Sequence, residues 1–229
     1  METSLLMHLL QFSDSAFPVG TFSFSHGLEP ASYLGIVHDA STLEQYTRSV
    51  ARQGAYSDGV AALLAYRAAK DGDYDALSKV DRQIMLFKMN DEARLMLSRM
   101  GKKLAALGVH LFNNNEIFAR WIADINAGDT PGSYPVAQGI AFALAGLSEE
   151  ELFASHQYGV INMVLSAALR CVRVSHYDTQ RILFELSSEV PSYYEKARTM
   201  SFEDMNSFVP QMDIFASMHE KGTMRMFMN

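Results

Sequence analysis

Between Ser148 and Val174 the chain leaves few folding options. Ser148 can cap a helix N-terminus, and Glu149, Glu150 and Glu151 follow where the helix dipole favours negative charge. From Val160 to Val174 the polar positions are Asn162, Ser166, Arg170 and Arg173. Their spacings of four, four and three trace one narrow stripe along an otherwise apolar cylinder. A helix that is apolar over most of its circumference must be surrounded by other helices, so this segment is expected at the centre of a bundle.

The rest of the sequence agrees. Leu77, Val80, Ile84 and Phe87 recur at helical spacing, as do Leu97, Met100 and Leu104 ahead of Gly108, where that helix is expected to stop. Glu116 to Ala127 reads as a helix carrying the only tryptophan, Trp121, and Gly128-Asp-Thr-Pro-Gly132 as a loop. Ser41, with Glu44 three residues on, reads as a capping box. No alternating strand pattern and no fixed-period repeat occurs. The expectation is an all-α, single-domain bundle of about ten helices around a central apolar helix, spanning 1–229, with a flexible C-terminal tail from about residue 218.

Composition bounds the function. An apolar content of 48% in 229 residues supplies a real core. A net charge of −7 with no basic block argues against nucleic acid as a partner. Cys171 is the single cysteine, which excludes an intramolecular disulfide and suits a reducing compartment. No apolar run approaches the ~20 residues of a membrane span and no leader pattern opens the chain, so a cytoplasmic, soluble protein is expected, with no membrane contact.

Recognisable catalytic and metal-binding spacings are missing. The seven histidines (His8, His26, His38, His110, His156, His176 and His219) form no His-x-His pair and no His-Glu-x-x-His motif. Phosphate-binding glycine loops and a nucleophile elbow are absent too. Asp91-Glu92 and Glu203-Asp204 read as solvated first-turn charges. This pattern favours binding over catalysis: no enzyme, no metal site and no tightly held cofactor are expected. A helical small-molecule enzyme or a ligand-binding regulator is the alternative; turnover by the purified chain would favour the former.

Two regions point outward. Asp14-Ser-Ala-Phe-Pro-Val-Gly-Thr-Phe-Ser-Phe-Ser-His-Gly-Leu-Glu29 reads as an aromatic loop that feeds a helix from Ser23, since Pro18 and Gly20 break the pattern before it. Phe22 and Phe24 together need something to cover them. At the other end, Phe227 sits among Met224, Met226 and Met228, a cluster that suits an interface.

Five patches, in order, resemble the urease accessory protein UreF family. They are the Ser15–Glu29 loop with Pro18, Gly20, Phe22, Ser25, Gly27, Leu28 and Glu29; Glu92-Ala-Arg94 through Gly101; Tyr134-Pro-Val-Ala-Gln-Gly139; Ala167-Ala-Leu-Arg170 to Gln180; and the tail with Pro210, His219-Glu220, Arg225 and Phe227. Thr21 stands where the family usually has a second glycine, Ser133 replaces a histidine, and Arg173-Val-Ser-His176 replaces a Pro-Leu-Gly-Gln turn. The resemblance implies an all-helical homodimer that binds the accessory protein UreD (UreH in some organisms), recruits the GTPase UreG and docks on apo-urease, with nickel handled by the assembled complex. On that basis Phe22, His26 and Glu29 are expected near a partner surface. Tyr134 and Pro135 would shape a nearby turn, and His219, Arg225 and Phe227 would anchor the tail on the partner.

Overall fold

The computed structural model describes residues 2–20, 25–113, 115–206 and 209–220, leaving aside the side chains at 216 and 218–220. Among the described residues there are twelve α-helices and no strand: α1 (Thr3–Ser13), α2 (Leu28–Tyr33), α3 (Ala40–Tyr56), α4 (Asp58–Asp71), α5 (Tyr74–Leu86), α6 (Asp91–Leu111), α7 (Glu116–Ala127), α8 (Tyr134–Ala145), α9 (Glu149–Cys171), α10 (His176–Ser187), α11 (Val190–Ala197) and α12 (Pro210–Glu220). The all-α bundle is as expected. None of these helices is long and apolar enough to cross a membrane.

Local chemistry sets most helix ends. The side chains of Asp73, Asn90, Asn115, Ser148 and Ser175 each accept a hydrogen bond from a first-turn backbone N–H. Ser148–Glu151 and Ser175–Asp178 are reciprocal capping boxes. The second opens α10 without the glycine turn that the family pattern has there. Two expectations fail. The capping box of α3 is Asp39 with Thr42, not Ser41 with Glu44. Glu44 instead pairs with Arg48 at 2.9 Å and with Arg181 at 3.3 Å. Nor does Gly108 end α6: the helix continues to Leu111, and the missing Cβ at Gly108 makes room for the Phe118 ring, which a Cβ would meet at 2.6 Å.

The apolar side chains form two clusters. One joins α4, α5, α6, α7 and α8 and contains Phe118, Trp121 and Phe142; the other joins α2, α3, α10 and α12. The α9 helix belongs to both, giving Leu152, Phe153 and Met163 to the first and Ile161, Val164, Leu165 and Ala168 to the second. It touches α1, α2, α3, α4, α8, α10 and α11, as its apolar circumference required.

Two glycines permit the closest approaches. A Cβ on Gly139 of α8 would stand 2.7 Å from the Tyr66 nitrogen and 2.8 Å from the Ala62 oxygen, so α8 lies directly on the α4 backbone. A Cβ on Gly101 of α6 would stand 2.1 Å from the Gly132 oxygen. The loop there is held by Asp81, a fully buried carboxylate. Its Oδ2 accepts from Trp121 Nε1 (3.1 Å), Thr130 Oγ1 (2.6 Å) and the Gly132 N–H (2.9 Å), and its Oδ1 from the Ser133 N–H (2.7 Å). This loop fixes where α8 begins, and therefore where the side chains described next are pointed.

Candidate functional site

The turn before α2 bends the chain inward. His26 (φ 52°) and Gly27 (φ 75°) are both left-handed, and Gly27 is the N-cap of α2. A left-handed conformation costs roughly 1–2 kcal/mol for a residue with a Cβ. Tyr46 holds His26 there by donating its hydroxyl to the His26 carbonyl at 2.6 Å. Two successive left-handed residues cannot continue a helix, so α2 begins at Leu28 and not at Ser23, which lies outside the described residues along with Phe22 and Phe24. Leu28 to Ala31 are buried, Glu29 completely.

Facing this turn is a group of buried polar side chains. Lys88 Nζ lies 2.7 Å from Asp58 Oδ1, with the side chains 9% and 13% exposed. On α9, His156 is bonded through Nδ1 to Gln138 Oε1 of α8 at 2.8 Å, and Gln138 Nε2 donates to the Tyr134 hydroxyl at 3.2 Å. With the amide so oriented, His156 Nδ1 carries the proton and Nε2 keeps a bare lone pair. Burial pushes the pKa of both His26 and His156 down to about 4; Asp58 partly opposes this and Lys88 adds to it. Both imidazoles are therefore neutral at pH 7. Among the described residues, neither Nε2 has a hydrogen-bond partner, although both atoms are buried.

Three adjoining cavities run past these groups. The first, about 80 Å³, lies between α3, α4, α6 and α12 and is lined by His26, Asp58, Lys88, Asn90 and Asp213. The second, about 40 Å³, is lined by His26, Asp58, Tyr134, Pro135, Gln138 and His156, with Met96, Met100 and Met163. The third, about 40 Å³, opens between α1 and α9 and takes in Tyr134, Gln138, Asn162, Ser166 and Arg170. His26 and Asp58 are common to the first two, and Tyr134 and Gln138 to the last two. The polar stripe of α9 thus faces a cleft under α1. At the outer wall of the first cavity, Asn90 Nδ2 donates to Asp213 Oδ1 at 3.1 Å. Burial raises the pKa of that carboxyl, against the hydrogen bond and the Lys88 charge.

The structure brings together three of the residues singled out in the sequence, since His26, Tyr134 and Pro135 line one cavity. Tyr134 and Pro135 are the first residues of α8 and follow the turn instead of forming it. Glu29 is buried on the other side of the turn, near Cys171, whose pKa is raised to about 11 by burial first and by Glu29 next. Phe22, Arg225, Phe227 and the His219 side chain lie outside the described residues. The sequence reading missed Asp58, Lys88, Gln138 and His156. Their one sequence signal was single polar residues among apolar ones, in the helices for Asp58, Gln138 and His156 and between α5 and α6 for Lys88, which has no spacing to single it out. Glu92, expected to be solvated, is 6% exposed, whereas Asp91 is open to solvent. No group of three His, Cys, Asp or Glu side chains converges to hold a metal among the described residues.

Comparison with known proteins places this architecture. Residues 37–187 match the UreF family model. The urease accessory protein UreF 2 of Brucella canis is 46% identical over 224 residues, which is 98% of this chain and 92% of the relative. UreF 1 of Brucella melitensis biotype 1 has the same identity and coverage. The urease accessory protein UreF of Yersinia pestis is 40% identical over 229 residues, the full length of both chains.

Proposed function

The chain belongs to the UreF family of urease accessory proteins, and from that premise we propose that it acts as a scaffold and gate in the complex that delivers nickel to apo-urease. In this reading it works in the cytoplasm as a homodimer and holds a UreD/UreH-type protein. It couples the UreG-type GTPase to metal transfer and makes or breaks no bonds in a substrate. Nickel is the cargo of the assembly, and no cofactor is bound tightly by this chain alone.

The observation that carries the reading is the match to named urease accessory proteins from end to end. The surface fits a binding role. Tyr177 and Phe184, seven residues apart on α10, are 88% and 83% exposed, and Leu86 and Met89 near the end of α5 are 73% and 69% exposed. Large apolar side chains left in water at this level suit contact surfaces. Within the proposal, Phe22, His219, Arg225 and Phe227 touch partners. His26, Glu29, Tyr134 and Pro135 act from beneath, by shaping the turn before α2 and the start of α8. Arg225 serves as an interface anchor.

The test is co-purification of the chain with a UreD-type protein, followed by nickel loading of apo-urease with and without the chain. A defined complex and chain-dependent loading are expected. Absence of a complex, or urease that matures equally well without the chain, would overturn the proposal.

A further inference from the structure

We propose that the outward face of α6 is a docking surface for an acidic segment of a partner protein, recognised by Arg99, Lys102 and Lys103. The proposal rests on the binding role above and adds where, and through what charge, one partner is held.

The sequence concentrates positive charge here. No acidic residue lies between Glu92 and Glu116, whereas Arg94, Arg99, Lys102 and Lys103 do, in a chain whose net charge is −7. Arg94 is taken by Asp91 at 2.8 Å. Among the described residues, Arg99, Lys102 and Lys103 form no ion pair. Arg99 stands three and four residues ahead of the two lysines, and like charges at those spacings destabilise a helix. The helix dipole does not offset this, because Lys103 is eight residues short of Leu111 and the effect fades beyond the last turn. The repulsion has no compensation within the fold. Carboxylates from another protein would supply it.

The geometry leaves this face free. Leu95, Arg99, Lys102 and Ala106 follow at steps of four, three and four, so they share one side of the helix, and all are exposed, as is Lys103 beside them. The other sides of α6 pack on α7, α8 and α12. Leu95, with Met89 exposed just ahead of the helix, gives the stripe apolar area at its N-terminal end. Lys103 Nζ also lies over the backbone at Gly20, where a Cβ would stand 3.1 Å from it. The stripe therefore adjoins the loop that leads to Phe22.

The number of cations decides the class of partner. A nucleic-acid site of ordinary strength makes about 6–10 phosphate contacts. A membrane-binding cluster takes about 4–8 Lys or Arg. Three cations in an acidic chain meet neither, and they match the few carboxylates of one acidic helix or loop.

The test is the triple variant Arg99→Glu/Lys102→Glu/Lys103→Glu in the full chain. Glutamate is a good helix former, so circular dichroism should not change. A control of equal charge, Arg52→Glu/Lys70→Glu/Lys79→Glu, alters exposed cations elsewhere. Each protein is titrated by surface plasmon resonance against a UreD-type protein, a UreG-type GTPase and apo-urease. The stripe variant should associate at least about tenfold more slowly with one of the three, and the loss should shrink as salt rises from ~0.05 to ~0.5 M. The control should stay within about twofold of the wild type. Duplex DNA and phosphatidylserine vesicles should not bind the wild type. If the triple variant fails to fold, Lys102→Gln/Lys103→Gln decides, with an expected loss of about threefold. Unchanged association with all three proteins, an equal loss in the control, or DNA binding, vesicle binding or self-association that the stripe variant abolishes would each overturn the docking surface. Unchanged association alongside a complex with the UreD-type protein leaves the functional reading standing. A wild type that binds none of the three overturns both.

Discussion

Asp81→Asn tests the idea that one buried carboxylate sets the position of α8 and, through it, of Tyr134 and Gln138. The native carboxylate accepts four hydrogen bonds, three at Oδ2 and one at Oδ1. Asparagine has one carbonyl oxygen. If that oxygen takes the three donors, the new NH₂ faces the Ser133 N–H, donor against donor. An unsatisfied buried N–H costs about 1–3 kcal/mol. The three remaining bonds also weaken from charge-assisted to neutral, offset in part because a charge no longer has to be buried. The net expectation is a loss of about 2–4 kcal/mol, large against the ~5–15 kcal/mol typical of a folded domain. Trp121, the only tryptophan, donates to this carboxylate, so its emission reports the local change while circular dichroism reports the fold. Equilibrium urea unfolding read by both signals gives the magnitude. Thr130→Val, which removes one donor and leaves three, should cost about 1 kcal/mol. A stability of Asp81→Asn within 0.5 kcal/mol of the wild type would refute the reasoning.

Other outcomes follow from the same geometry. Gly101→Ala should lose about 1–3 kcal/mol or more in urea unfolding, because its Cβ would meet loop backbone at 2.1 Å; Gly159→Ala, with nothing within 4 Å, should gain about 0.5–1 kcal/mol. Between pH 6.5 and 4 the unfolded chain takes up protons at His26 and His156 while the folded chain does not, so stability falls as pH drops through that window. The loss is roughly 3 kcal/mol per histidine at most, and His156→Gln should flatten the pH profile of the unfolding midpoint. Replacing Arg225 and Phe227 together with alanine should weaken capture of a UreD-type partner and leave circular dichroism unchanged; unaltered capture would count against the tail as an anchor.

Helices were legible wherever the signal was local. The span of α7 and the cap at Ser148 follow from residues within four positions of one another. The close approaches that Gly101 and Gly139 permit were not readable, because the backbones they meet belong to segments distant in sequence. The start of α2 was misread because its serine-rich lead-in resembles a cap. The deciding feature is the left-handed pair His26–Gly27, fixed by Tyr46 twenty residues away. The cavity group was hidden for the same reason. Asp58, Lys88, Gln138 and His156 come from four separate segments and meet only once α4, α8 and α9 are packed. Individually each is one polar residue in an apolar context. Glu92 looked solvated because its neighbour Asp91 is, and a single helical step of about 100° separates an exposed position from a buried one.

The central claim is that this chain serves urease maturation by binding other proteins. The most direct measurement is light scattering on the purified chain mixed with a UreD-type protein, coupled to the nickel content of apo-urease incubated with the mixture. The account predicts a stable complex of fixed stoichiometry and nickel incorporation that falls to background when the chain is omitted. A chain that elutes alone, with nickel incorporation indifferent to its presence, would contradict it.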